Sequence, residues 1–266
     1  LGARNERGPG VHIYPSVAAQ LSIARDAATT EAPRRGSEVI DLGHPDLLAS
    51  FLDDTGPTER SSTVLLAEPG TRHTYLALRF LAAGHRNGDT TLMVSTKEDQ
   101  DALRRICSRQ PLLRDTSMQD GDFAPGFRVL YLHPEFISAG KFTWDFLQQT
   151  LPSDGDDRPV TRVAFDSIYR LGDRFPLLEH QHFMIPALID ILRYRSVTPL
   201  FVDLVPPGSA TRRSAFNPAP YLTTFDNVFH LYLEDDEGTP RPYLRVLKST
   251  ANEFTRNSIP FDYERS

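Results

Sequence analysis

The sequence predicts an α/β fold in which a mostly parallel central sheet carries helices on both faces and ends in a C-terminal antiparallel hairpin. Three observations lead there. Short apolar runs with little polar alternation recur along the chain, as strands buried on both faces require. Segments with helical spacing separate them, and that alternation implies parallel strands joined by right-handed crossovers. The last two apolar runs, Val228–Leu233 and Tyr243–Leu247, instead flank the turn signal EDDEGTPRP and read as a hairpin.

Residues 1–36 are rich in Gly, Pro, Arg and Ala and read as an N-terminal connector. In it VHIYPSVAAQLSIAR forms a short strand and a short helix, and DAATTEAPRRGSE a linker. Residues 37–266 read as the main domain. IDLGHPDLLASFLDD, with Leu47, Leu48, Phe51 and Leu52 near helical spacing, reads as a helix or helical turn. Strands are predicted at Ser62–Ala67, Thr90–Ser95, Phe127–Leu132, Arg162–Asp166 and Pro199–Val205. Helices are predicted at Thr74–Ala83 (ended near Gly84), Glu98–Arg109, Phe142–Leu151 and Glu179–Arg195, the last bent at Pro186.

Composition narrows the function class. The 266 residues are 39% hydrophobic, enough for a packed core. A formal charge of -6 disfavours nucleic acid as a partner. No apolar run approaches the roughly 20 residues of a bilayer span, and the first residues hold no signal-peptide core. Cys107 is the only cysteine, which rules out an internal disulfide or a Cys-based zinc site. These features together read as cytoplasmic, and the start at Leu1 reads as a piece of a longer protein or a processed chain. His180 and His182, beside Glu179, lack a metal-binding spacing and read as surface residues. The acidic loop 152–159 lacks an EF-hand register. Asp203 reads as a polar residue at a sheet end. Phe225, Phe229 and Tyr232 read as core or subunit contacts rather than a base-stacking platform.

The first strand ends in AEPGTRHT, Ala67 to Thr74, and a helix follows. A phosphate-binding loop has the form GxxxxGK[ST] on that strand–loop–helix frame. Laid on it, Ala67 and Arg72 take the two glycines, His73 the lysine and Thr74 the hydroxyl, with Gly70 inside the loop. Such a loop cradles phosphates with backbone N–H groups at a helix start. Its second glycine permits close approach. Its lysine reaches the β- and γ-phosphates, whereas His73 is shorter and mostly neutral at pH 7. The chain's only lysines are Lys97, Lys141 and Lys248, none of them in the loop.

From Val39 to Tyr263 the order of segments resembles the KaiC family of RecA-superfamily P-loop ATPases. STVLLAEPGTRHTYLALRFLAAG resembles that family's strand, P-loop and helix, and TLMVSTKEDQDALRR its second strand and helix. RVAFDSIYRL resembles its Walker B strand with the Asp-Ser pair, VLKSTANEF a late basic motif, and PFDYE the terminal segment. GVHIYPSVAAQL resembles the connector before a second module in tandem members.

The resemblance implies a RecA-like P-loop NTPase fold. It implies a nucleotide site of Gly70, Thr71, Arg72, His73, Thr74, Asp166, Ser167 and Lys248. Thr74 and Asp166 stand at the Mg²⁺, and Lys248 reaches a neighbouring subunit's nucleotide. The family's paired glutamates, which activate water, fall on Thr96 and Lys97, leaving Glu98 as the one candidate carboxylate. The glycine after the late lysine is Ser249, and the following histidine is Asn252. In the proline-rich loop 206–220, Arg212 and Arg213 fall where ring-forming relatives line a pore. A missing general base costs on the order of 10²–10⁴ in rate. The expectation is therefore a pseudo-ATPase that binds ATP and Mg²⁺ weakly or not at all. It would act in regulation, signalling or assembly, as a homo-oligomeric ring or with another KaiC-like module. The alternatives are an atypical ATPase or autokinase using Arg72, Glu98 and Lys248, and a DNA-repair accessory resting on Arg212 and Arg213.

Overall fold

The computed structural model describes residues 13–27, 38–117, 122–133, 136–150, 158–168, 184–207 and 220–265. Glu179, His180, His182, Arg212, Arg213, the linker from residue 28 to 37 and most of the acidic loop 152–159 lie outside the described residues.

Eight strands form one sheet: β1 (Thr63–Ala67), β2 (Thr91–Ser95), β3 (Phe127–Tyr131), β4 (Arg162–Asp166), β5 (Thr198–Leu204), β6 (Asn227–Asp236), β7 (Thr239–Ser249) and β8 (Ile259–Pro260). Their order is β3-β2-β4-β5-β1-β6-β7-β8. The first six in that order run parallel, while β7 and β8 are antiparallel. The architecture is α/β and RecA-like, with the expected C-terminal hairpin. That hairpin is longer than its apolar residues suggested. Glu237 and Gly238 both take positive φ (54° and 82°), the geometry of a two-residue turn that matches strand twist, so pairing continues into the charged tip.

Side chains of the parallel strands divide between two cores with period two. Val64, Leu66, Leu92, Val94, Val163, Phe165, Phe201 and Val228 face one core. Helices α1 (Val17–Ala27), α4 (Ala139–Gln149) and α5 (Met184–Tyr194) cover that core. The Phe165 ring lies 4.9 Å from Phe146 and 5.0 Å from Phe201. Leu65, Ala67, Met93, Ala164, Leu200, Val202 and Leu231 face the other core, under α2 (His73–Arg86) and α3 (Gln100–Arg109). Phe225, Phe229 and Tyr232 are all buried, as expected.

Several expectations need correction. Residues 13–16 form no strand: Pro15 has no N–H to donate, and its carbonyl accepts from the Gln20 amide. Val17, Leu21 and Ala24 of α1 belong to the core. Of the two alternatives for the segment around Leu47, the helical turn is what forms, as a 3-10 turn over Pro45–Leu47 with Gly43, Asp53 and Asp54 at positive φ on either side. Helix α2 does not stop at Gly84 but runs to Arg86. Gly84 is a packing residue, since a Cβ there would lie 2.4 Å from the Arg162 side chain. Helix α3 starts at Gln100, not Glu98, because Asp99 caps it by accepting from the Ala102 N–H at 2.7 Å. Helix α4 starts three residues early, capped by Ser138. Pro186 is the third residue of the described helix α5, where no preceding turn is described for it to bend.

Candidate nucleotide site at the carboxyl edge of the sheet

The loop between β1 and α2 leaves the sheet beside β5 and β6, with Ala67 level with Leu204 and Leu231. Gly70 (φ 91°) and Arg72 (φ 48°) both adopt left-handed backbone. The chain thus keeps the double turn although a side chain occupies the second glycine position, a conformation that costs a non-glycine residue free energy. Buried Thr71 closes the turn, its N–H and hydroxyl both donating to the Glu68 carbonyl at 3.2 and 2.6 Å. No side chain caps α2. Among the described residues, the N–H groups of Arg72, His73 and Thr74 have no hydrogen-bond partner. Such groups at a helix start attract anions.

His73 and Thr74 turn towards β4 instead. The Thr74 hydroxyl donates to Asp166 Oδ2 at 2.5 Å, and His73 Nε2 lies 3.6 Å from Asp166 Oδ1. The other ring nitrogen, Nδ1, is buried without a partner. Burial pushes the Asp166 carboxyl above the usual carboxylate range; His73, the Thr74 hydroxyl and Lys97 oppose that rise, and Glu98 reinforces it. The Asp166–Ser167 peptide is cis. Thr96, at the end of β2, ties this corner together. Its N–H donates to the Asp166 carbonyl at 2.9 Å, and its hydroxyl accepts from the Ser167 N–H at 3.2 Å.

Lys97 and Glu98 follow in the turn before α3, with Lys97 Nζ 3.1 Å from Glu98 Oε1. Glu98 lies outside the helix, one residue before the capping Asp99. It lines a cavity of about 450 Å³ between the start of α2 and α3, together with Arg72, Thr74, Tyr75, Arg105 and Arg109. The sequence reading missed Arg105 and Arg109, although their four-residue spacing places both on one helix face.

The sequence reading also missed what holds Arg72. Its guanidinium sits 4.8 Å from the Tyr75 ring and 5.1 Å from the Tyr263 ring, and 3.6 Å from Glu264 Oε1. The Tyr263 hydroxyl donates to the Thr71 carbonyl at 2.5 Å. Burial pushes this phenol up to about 12 against the opposing charge of Arg72. The terminal segment is itself anchored. His44 stacks on Phe261 at 4.2 Å and bonds the Asp262 carbonyl, Arg79 donates to the Tyr263 and Arg265 carbonyls, and Arg265 pairs with Asp46 at 2.6 Å.

Lys248 is not brought to this loop. It pairs with Val228, which is level with Val64, about 10 Å below Ala67 at the rise of a β-strand. Its ammonium donates to the Thr223 and Phe225 carbonyls at 2.7 and 2.5 Å. Ser249 donates to Asn227 Oδ1, and Asn252 to the Gly56 carbonyl. Asp203 is buried in β5 beside Leu66. Among the described residues no three His, Cys, Asp or Glu side chains converge as a metal site, and no helix is long and apolar enough to cross a membrane.

The residues present fit a Mg²⁺-bound phosphate chain in part. The hydroxyl–carboxylate pair and the N–H cradle suit it. The lysine that would neutralise the outer phosphates is replaced by a histidine bound up with Asp166. No curated protein matches the chain. A protein-family model described as ATPase: KaiC matches residues 48–266, the greater part of the chain, including the whole sheet and every candidate site residue from Gly70 to Lys248. With the RecA-like sheet and the loop at its carboxyl edge, that match shows that the chain belongs to the KaiC ATPase family, as a RecA-type nucleotide-binding module.

Proposed function

We propose that this module is a pseudo-ATPase, which holds a nucleotide weakly without efficient hydrolysis and acts in regulation or assembly through contacts with another copy or another KaiC-like module. One observation carries the reading. The pair that would serve the metal, Thr74 and Asp166, is intact, while the positions that would activate water hold Thr96, engaged with backbone, and Lys97, paired with Glu98. Mg²⁺, when bound, supplies charge neutralisation on the phosphates. The chain's own groups orient and hold: the N–H cradle would face the anion, Thr74 and Asp166 fix each other, and His73 lies 3.6 Å from the remaining carboxylate oxygen. No carboxylate stands at the expected base position to take a proton from water.

Assembly is supported by the place of Lys248. The family resemblance implies that it serves the nucleotide of another subunit, and its place at the opposite end of the strands from its own loop is consistent with that, its ammonium here resting on the Thr223 and Phe225 carbonyls. Cytoplasmic location and a signalling role are part of the same proposal. The test is ATP turnover by purified protein beside its Asp166→Asn variant, with binding followed by calorimetry in Mg²⁺. Turnover at background in both is expected; turnover that Asp166→Asn abolishes would overturn the reading.

A second reading, a slow but real ATPase, is favoured by Glu98, which lines the same cavity as Thr74. Measurable turnover lost on Glu98→Gln would select it. The DNA-repair alternative rests on Arg212 and Arg213, outside the described residues.

A further inference from the structure

Helix α3 treats its arginines unequally. Arg104 is neutralised, with its guanidinium 2.8 Å from Asp101 and 3.0 Å from Asp122. Arg105 and Arg109 make no ion pair among the described residues, yet both line the cavity of about 450 Å³ that also contains Thr74 and Arg72. Four residues apart, they lie side by side on one face, where like charges repel. A guanidinium stays charged at any physiological pH, so an anion that enters between them meets two positive groups. The one acid on the cavity wall, Glu98, already has Lys97 at 3.1 Å. The cavity volume falls within the roughly 300–1,000 Å³ usual for small-ligand sites.

We propose that this cavity is a seat for a phosphate chain, with Arg105 and Arg109 as the groups that grip it and Thr74 as its link to the loop. The planar fork of arginine matches phosphate oxygens two at a time, and two such forks on one wall suit a chain of phosphates better than a single carboxylate. The site lies on the α3 side of the loop, shares Arg72 and Thr74 with it, and needs no lysine there. This inference deepens the proposed function by naming the ligand class and the gripping residues. It does not depend on whether hydrolysis is absent.

The probe is inorganic tripolyphosphate, titrated calorimetrically at low salt into the full chain, then ATP with Mg²⁺. Arg105→Glu with Arg109→Glu is compared with Arg114→Glu, an exposed arginine that is not among the cavity's lining residues. We expect the double variant to weaken tripolyphosphate binding at least tenfold and Arg114→Glu to change it less than threefold. If the double variant fails to fold, Arg109→Gln replaces it, with at least a threefold loss expected. ATP sharing the same arginine dependence would identify a nucleotide as the source of the chain. Tripolyphosphate binding alone would identify an inorganic one. No tripolyphosphate binding, or equal losses in the α3 and Arg114 variants, would overturn the site. Turnover abolished by Asp166→Asn would overturn the proposed function and leave this site standing.

Discussion

Replacing Arg72 by Gly and His73 by Lys would give the loop back the two side-chain positions on which phosphate affinity depends, and the structure sets the cost. Arg72 holds left-handed backbone at φ 48°, worth about 1–2 kcal/mol of strain that glycine relieves. Glycine gives back about 0.5–1 kcal/mol in unfolded-state entropy. The stacks on Tyr75 and Tyr263 are worth about 0.5–1 kcal/mol each. The Glu264 pair adds little, because its side chains are 41% and 75% exposed. These opposing effects nearly cancel, so stability should change by about 1 kcal/mol or less, a Tm shift of no more than about 4 °C in a chain of this size. The new lysine adds a charge-assisted contact of about 1.5–3 kcal/mol to a bound phosphate, which is roughly 10–100-fold in Kd for ATP with Mg²⁺. Thermal melts and calorimetry read both quantities. Turnover should stay at background, since Thr96 and Lys97 are untouched. A folded double variant with unchanged ATP affinity would refute the claim that the loop retains a working cradle, and a Tm loss above about 8 °C would refute the energy balance.

Other outcomes follow from single contacts. Burial raises the Asp166 carboxyl in the folded state. Its stabilising contribution is therefore present in acid and lost as pH rises through the window above its ordinary value of 3.8. Asp166→Asn should flatten that part of the stability–pH curve, measured by urea melts. His230 moves the other way, lowered to about 4 by burial and by Arg245. Its contribution is complete above its unfolded value of 6.5 and is lost as pH falls towards 4, at up to about 1.4 kcal/mol per pH unit. His230→Phe should reduce this acid slope, leaving the part due to His44 and His85, which burial also lowers. Phe165→Ala removes the middle ring of the aromatic stack and should cost about 3–5 kcal/mol by denaturant titration. Tyr263→Phe deletes the hydroxyl donor to Thr71 and should cost about 0.5–1.5 kcal/mol, with faster amide exchange at Thr71 and Arg72 as the local readout.

The parallel sheet was legible because strands buried on both faces leave apolar runs that nothing else explains, and Val64–Leu66 and Val163–Phe165 are of that kind. Asp166 and Thr74 were legible because each follows such a run at a fixed offset, and the fold brings them together at 2.5 Å. Element ends were less legible. Asp99 outcompetes Glu98 as the start of α3 because its carboxylate reaches the Ala102 N–H, a choice between two adjacent acids that apolar spacing does not register. Gly84 resembled a stop signal, yet it is explained by Arg162, 78 residues away in sequence. The contacts of Tyr263, Arg105 and Arg109 lie across the fold, and no local pattern around Ala67–Thr74 announces them.

The charges at the site differ in both directions from what the family resemblance implies. A carboxylate position has become Lys97, a lysine position has become His73, and a glycine position has become Arg72, whose guanidinium is held by two rings. Hydrolysis needs a base to receive a proton from water and a cation at the outer phosphates. Retention of an anion needs only positive charge and N–H donors. Thr96 and Lys97 leave the first requirement unmet, His73 weakens the second, and Arg72, Arg105 and Arg109 supply positive charge on the cavity wall instead. The strain at Arg72 is offset by its two ring stacks, and the Thr74 hydroxyl and Asp166 satisfy each other, so this corner stands without a ligand. On the proposed function, these groups would hold a phosphate chain without cleaving it, which the Arg72→Gly, His73→Lys variant tests directly.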